Sequence, residues 1–444
     1  MSYTLIKHAR IVNEDRIFEG DVLIRGERIE KIGSSISHQH AKEVDAGGKY
    51  LLPGFIDDQV HFREPGLTHK AEIRTEARAA VAGGITSFME MPNTIPNTLT
   101  QELLEEKYTI ASKCSLANYS FFMGTSNDNY DELMRTDPRR VCGIKIFMGA
   151  STGNMLVDSP GVLEKVFANA QLLVATHCEH EPTVRRNTTA AQEKYGASAT
   201  TAIHPVIRDE DACYLSSSFA VGLAKKHGTR LHVLHISTAK EISLFDDPRP
   251  IREKKLTAEA CVHHLWFTDS DYTTKGNLIK WNPAIKSITD REAIRQAVID
   301  GVIDVLATDH APHTLQEKSS HYFEAPSGGP LVQHALPALF ELVQQGIFTP
   351  ELIVRRYCHA VADCFHVLER GYLREGYHAD LVLVDTDDPW TVDKSNILYK
   401  CGWSPFEGTT FHSRVTHTWV NGNLVYENGR FYETETGKRM LFER

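Results

Sequence analysis

The sequence predicts an α/β chain: a (β/α)8 barrel of the TIM type, with a small β-sandwich domain built by both chain termini. Three observations predict it. Eight short apolar runs in the middle of the chain alternate with polar-amphipathic stretches. Those runs close on polar residues at spacings near one βα unit, roughly 31 residues if a barrel takes about 250. The two ends of the chain instead alternate apolar and polar residues around turn signals, which is the pattern of hairpins. An open doubly wound sheet uses the same βα alternation; the number of runs favours the closed barrel.

Residues 1–52 open with TLIKHARIV and DVLIRGERIEKIG, the second holding the turn Arg25-Gly26-Glu27. Residues 371–444 repeat that grammar in ADLVLVD and VTHTWVNGNLVYENGRFY, with a turn at Asn421-Gly422. Chain ends often lie close together, so both are assigned to one sandwich. Residues 53–370 are assigned to the barrel. Its candidate strands are LLPGFIDDQVHF, ITSFMEM, LANYSFFMG, CGIKIFMG, LLVATHC, LHVLHIS, LTAEACVHHL and DVLATDH. Stretches such as HKAEIRTEARAAVAGG and ITDREAIRQAVIDG supply the helices between. The interval from His177 to His235 is too long for one unit, and residues 179–211 are expected to form a long excursion after the fifth strand.

Composition narrows the function. The 444 residues carry 58 acidic and 48 basic side chains, a formal charge of −10, which argues against a nucleic-acid partner. Charged residues make up 24% and hydrophobic ones 41%, a globular mixture. No apolar run approaches the roughly 20 residues of a membrane span, and the first residues hold no apolar signal core, so a cytoplasmic location is expected. Eight scattered Cys without a CxxC pair read as reduced thiols. The 22 His make a metal or acid–base site worth seeking.

The C-terminal ends of barrel strands face the active site. Gln59, His61 and Arg63 share a face at the end of the first run, since strand residues at i and i+2 do. Asn93 follows the second run, Lys145 lies in the fourth, His177 and His235 close the fifth and sixth, and Asp309 closes the eighth, followed by His310 and His313. Lys145 falls about three units after His61 and one before His177. Three His and one Asp suit a divalent metal such as zinc. Lys145 is the odd member. A buried Lys loses its proton readily, and its amine could take up CO2 to become a carbamate, an anionic ligand able to bridge two metals. Each residue also has a plain structural reading: a hydrogen-bonded core His, a Lys that extends its ammonium to solvent, an Asp that caps a helix. That reading is kept for His232, His263 and His264. Spacing alone leaves the two readings balanced; joint placement at strand ends favours a site.

PGFIDDQVHFREPG (53–66), MPNT (91–94), GIKIF (143–147), THCEH (176–180), LHVLHIST (231–238), NPAIK (282–286) and ATDHAPH (307–313) resemble the cyclic amidohydrolases, and within them the dihydroorotase family of the long bacterial type. ADLVLVD and SPFEG (404–408) extend the match. Each motif is weak alone; seven in order are specific. The resemblance implies reversible hydrolysis of L-dihydroorotate to N-carbamoyl-L-aspartate, a step of de novo pyrimidine (UMP) biosynthesis. It implies one or two zinc ions per chain, with His61 on one, His177 and His235 on the other, and carboxylated Lys145 between them. Asp309 would bind metal and shuttle the proton. Arg63, Asn93 and His313 would hold the substrate carboxylate, and Asn282 would touch the ring. A homodimer is implied as well.

Arg63 sets this chain apart within the resemblance: allantoinases carry Asn there, and hydantoinases an Asp or similar residue. A guanidinium matches a carboxylate with two parallel hydrogen bonds. One departure stands out. The family pattern is His-x-His, and this chain reads Gln59-Val60-His61. Gln59 is then a weak ligand, a hydrogen-bonding partner of a bound water, or the mark of a partly filled position. The alternatives are another cyclic amidase of allantoinase or hydantoinase type, or a non-catalytic relative kept as a scaffold. Residues 314–330, with Gly328-Gly329, are expected to form a mobile loop that lines or covers the substrate.

Overall fold

A computed structural model describes residues 2–149, 155–157, 159–433 and 437–444. The N-terminal strands are β1 (Tyr3–Asn13), β2 (Arg16–Arg25), β3 (Arg28–Gly33), β4 (Lys42–Asp45) and β5 (Tyr50–Pro53). The barrel strands follow: β6 (Phe55–Val60), β7 (Ile85–Glu90), β8 (Asn118–Phe121), β9 (Met123–Gly124), β10 (Ile144–Phe147), β11 (Val174–His177), β12 (Leu231–Val233), β13 (Leu256–Cys261) and β14 (Val305–Ala307). The C-terminal strands are β15 (Leu381–Asp385), β16 (Trp390–Thr391), β17 (Thr410–Phe411), β18 (Arg414–Val420), β19 (Asn423–Glu427) and β20 (Arg430–Phe431).

All eight apolar runs become barrel strands, the third split into β8 and β9 around Phe122. β6, β7 and β8 pair in parallel, and so do β9 through β14 in chain order. The seam closes where Val60 bridges His310 and the His61 N–H donates to the His310 carbonyl at 2.7 Å. Parallel strands covered by helices read as continuous apolar runs because both faces are buried. The helices between them begin and end on local signals. Ser287 accepts the Asp290 N–H at the start of Ile288–Asp300, and Gly301 ends that helix with φ +82°.

Both termini build one mixed sheet of nine strands, in the order β20-β19-β18-β15-β5-β1-β2-β3, with β4 beside β1. The joint is antiparallel: Leu51 opposes Leu383, and Pro53 opposes Leu381. Asn421 (φ +49°) and Gly422 (φ +75°) form the turn between β18 and β19, where two consecutive positive φ values match the twist of a tight hairpin. A buried network ties this sheet to the barrel. Arg370 pairs with Asp380, Asp380 accepts from Asn118 and from the Asn421 N–H, and Asn421 donates to Asn118. Residues 437–444 run along the barrel, where Arg439 bridges Tyr119 and Phe442 bridges Val367.

Residues 179–211 form the long excursion expected after the fifth strand, but as ordered helical structure rather than a loop. They hold the helix Glu181–Tyr195, two 3-10 turns and the short helix His204–Ile207. Pro182 in the first turn and Gly196 at the end bound the main helix. All eight cysteines are free thiols. Among the described residues no helix is long and apolar enough to cross a membrane.

Candidate active site

The C-terminal ends of the barrel strands surround a cavity of about 590 Å³, and all ten residues singled out in the sequence line it. β6 leads into Gln59, His61 and Arg63, β10 carries Lys145, and β11 ends on His177. His235 and Asp309 lie two residues beyond β12 and β14. Asn93, Asn282 and His313 come from the loops above. Arg63, His235 and Asp309 have φ of +69°, +42° and +48°. Non-glycine residues avoid this region, and three such residues around one pocket mark backbone held in place by its surroundings.

The donor atoms fall into two pairs. His177 Nδ1 lies 2.9 Å from His235 Nε2, while His177 Nε2 lies 3.0 Å from Glu179 Oε2. Glu179 would ordinarily be raised by its burial, but Arg208 and His177 outweigh that and bring it down to about 2. The anion therefore accepts a hydrogen bond from the Nε2–H of His177 and leaves Nδ1 as a lone pair facing His235, whose own Nδ1 is buried without a hydrogen bond. In the second pair His61 Nε2 lies 3.2 Å from Asp309 Oδ1, and His61 Nδ1 lies 2.7 Å from Asn93 Oδ1. Asn93 accepts the Nδ1 proton, so the other nitrogen of His61 and the Asp309 oxygen meet as two acceptors. Burial holds His61 and His235 well below the usual imidazole range, and His177 below it too. Neutral imidazoles and a carboxylate, with the outer nitrogens steered by Glu179 and Asn93, form a donor set that fits a divalent metal.

Lys145 sits among them, 1% exposed. Burial lowers its ammonium to about 7 against the pull of Asp309 and Glu259, so a large share of the amine is neutral and nucleophilic near pH 7. Burial likewise pushes the Asp309 carboxyl up to about 7, opposed first by Lys145. Gln59 does not present its oxygen to the cavity. Its Nε2 donates to Asp309 Oδ1 at 3.2 Å, and its Oε1 faces the Cys261 thiol at 3.6 Å.

A cationic group occupies another part of the lining. Arg63 Nε donates to the Pro312 carbonyl at 3.0 Å, and one terminal nitrogen lies 3.1 Å from His313 Nε2. Lys70 Nζ lies 3.0 Å from His313 Nδ1 and 3.0 Å from Glu317. Burial lowers Arg63 to about 10, still well above neutrality. Pro326, Ser327 and Gly328 line the same cavity, within the segment assigned to the substrate. That segment also holds a helical turn, Leu315–Lys318, under a capping box of Thr314 and Glu317.

Sequence reasoning passed over Lys70, Glu179 and the buried trio Asp58, His232 and Glu259. Glu179 had a signal, since it lies two residues from His177 and shares its face. Lys70 had none. His263 and His264 are core residues as expected, His263 stacked on Trp281 with ring centroids 4.4 Å apart. His232 is buried too, but its partners are carboxylates: Nε2 lies 3.1 Å from Asp58 and 3.6 Å from Glu259.

Residues 50–425 match the family model described as Amidohydrolase family. A dihydroorotase of Halobacterium salinarum is 32% identical over 426 residues, covering 94% of this chain and 96% of that protein. A dihydroorotase of Bacillus cytotoxicus is 31% identical, covering 96% and 99%. Among solved structures, an L-hydantoinase (dihydropyrimidinase) from Arthrobacter aurescens superposes with a TM-score of 0.93 at 26% identity, over 99% of this chain and all of its own.

Proposed function

The chain belongs to the Amidohydrolase family and is a hydrolase, and from that premise we propose that it is a dihydroorotase, interconverting L-dihydroorotate and N-carbamoyl-L-aspartate in pyrimidine synthesis. The observation that carries the choice is the cationic group beside the metal-type donors. Arg63, with His313 and Lys70 at its side, offers a buried positive surface to a substrate carboxylate. Hydantoin and dihydrouracil rings lack that group.

His177 and His235 would hold one zinc ion and His61 with Asp309 a second, with Lys145 serving both after its neutral Nζ adds to the carbon of CO2 and releases a proton. Zinc bound there supplies a polarised ring carbonyl and a water whose pKa falls toward about 7. Asp309 accepts the proton of the attacking water as its oxygen bonds to the ring carbonyl carbon. The carbon–nitrogen bond then breaks, and Asp309 delivers that proton to the departing nitrogen. The free N–H groups of Arg63 hold the carboxylate, and Asn282 meets the ring. Fixing the ring in this way supplies part of the rate, up to roughly 7–11 kcal/mol in ideal cases.

A second reading has support of its own. The superposition on an L-hydantoinase favours a ring amidase without a carboxylate requirement. Steady-state turnover of the zinc-loaded protein on dihydroorotate, hydantoin and dihydrouracil separates the two. The proposal expects kcat/KM highest for dihydroorotate. Preference for hydantoin would replace it, and no turnover on any ring would make the chain the non-catalytic relative that Gln59 raises.

A further inference from the structure

Deeper in the barrel than the catalytic donors, three ionisable side chains from β6, β12 and β13 meet with no solvent access. Asp58, His232 and Glu259 are all 0% exposed, and one ligand atom from each lies within 4.8 Å of the other two. Two of them precede a pocket residue in sequence: Asp58 comes before Gln59, and His232 lies three residues before His235.

Their hydrogen bonds do not close. Both oxygens of Asp58, Oε2 of Glu259 and Nε2 of His232 have no hydrogen-bond partner. The other atoms of the trio are engaged. Glu259 Oε1 accepts the His235 N–H at 2.9 Å and the Cys261 thiol at 3.2 Å. His232 Nδ1 lies 2.8 Å from Thr257 Oγ1, and that hydroxyl donates to the Leu231 carbonyl at 3.4 Å. Burial works to lower His232, but Cys364, Asp58 and Glu259 outweigh it and hold the imidazole well above its usual range, so Nε2 carries a proton toward the two carboxylates. Two buried carboxylates face that single proton, and none of the four atoms makes a well-aligned hydrogen bond, which is costly in a dry interior. One proton shared along Nε2 and Asp58 leaves Oε2 of Glu259 without a donor. A divalent cation would satisfy all of them.

From this geometry we infer that Asp58, His232 and Glu259 form a second, structural zinc site beneath the catalytic pocket. The distances fit. A tetrahedral zinc with ligands at about 2.0–2.1 Å sets neighbouring ligand atoms roughly 3.3 Å apart. Nε2 of His232 lies 3.1 Å from Asp58 and 3.6 Å from Glu259, on either side of that value. Carboxylate and imidazole are both zinc donors, and the three side chains leave a fourth coordination position open. The ion would tie strands one, six and seven together where Glu259 holds the backbone of His235 in its positive-φ conformation. The inference does not depend on which ring the pocket hydrolyses.

The test is an anomalous difference map at the zinc edge from crystals of the zinc-loaded wild-type protein. A peak bounded by Asp58, His232 and Glu259, apart from any at the mouth, is expected; zinc at the mouth alone overturns the inference. Elemental analysis checks it in solution. His177→Asn is compared with the same chain also carrying Asp58→Asn, after gel filtration in metal-free buffer. The first should retain about one zinc more than the second. Equal contents overturn the inference, and if the double variant fails to fold the wild-type map decides alone.

Discussion

Gln59 donates its amide to Oδ1 of Asp309 at 3.2 Å, and its oxygen is turned toward Cys261. The residue at the position of the first histidine in the His-x-His pattern thus acts as a hydrogen-bond donor to Asp309. Replacing it with an imidazole changes the chemistry of that position from donor to lone pair. Gln59→His should raise the zinc retained per chain after dialysis, as read by elemental analysis. Unchanged metal content would show the position to be filled already or irrelevant to binding.

Arg63 keeps its guanidinium buried, with Nε already spent on the Pro312 carbonyl. Arg63→Ala should raise KM for dihydroorotate by about 10- to 100-fold, since a hydrogen bond to a charged group contributes about 1.5–3 kcal/mol. Turnover number should fall less. Arg63→Lys should restore little, because a single ammonium lacks the planar fork. Initial-rate kinetics decide, and an unchanged KM in Arg63→Ala would remove the clamp role.

Lys145→Ala should lose zinc and lower kcat by more than the roughly 10- to 100-fold that loss of an outer-shell partner costs. Short carboxylic acids such as acetate or propionate should restore part of both, by supplying an anionic oxygen in the space the side chain leaves. Activity without added acid that matches wild type would exclude Lys145 from the site.

With Asp309 as the proposed proton shuttle, ring closure needs a proton on it and ring opening needs it off. Burial pushes this carboxyl up to about 7. The protonated share falls as pH rises through that value, so the closure rate should decline from pH 6 to pH 9 while the opening rate climbs. Parallel pH–rate profiles in the two directions measure this. A closure rate that rises steadily over the same range would count against the assignment.

The barrel was legible because each strand is a short apolar run with its own turn signals, and a parallel sheet buried on both faces needs such runs. The pocket was legible because barrel closure brings strand ends together: His61, Lys145, His177, His235 and Asp309 are distant in sequence and share one cavity. Residues 179–211 misled because their polar composition suggests a loop, although Pro182 and Gly196 bracket a helix. The capping box in Thr314-Leu315-Gln316-Glu317 was likewise present in a stretch read as mobile. Asp58, His232 and Glu259 could not be grouped from sequence. Each sits inside an apolar strand, and only the curvature of the closed sheet turns all three toward the same interior point.

The pairing of Leu51 with Leu383 carries a consequence for biosynthesis. While the chain is being made, β5 has nothing to cover one of its edges until residue 381 leaves the ribosome, roughly tens of seconds later at typical rates of translation. The last barrel strand, Val305–Ala307, emerges well before that partner does. The nascent polypeptide therefore carries an almost finished catalytic mouth beside an open, sticky ribbon. Release before the final segment would yield a molecule prone to clumping even with every pocket residue in place.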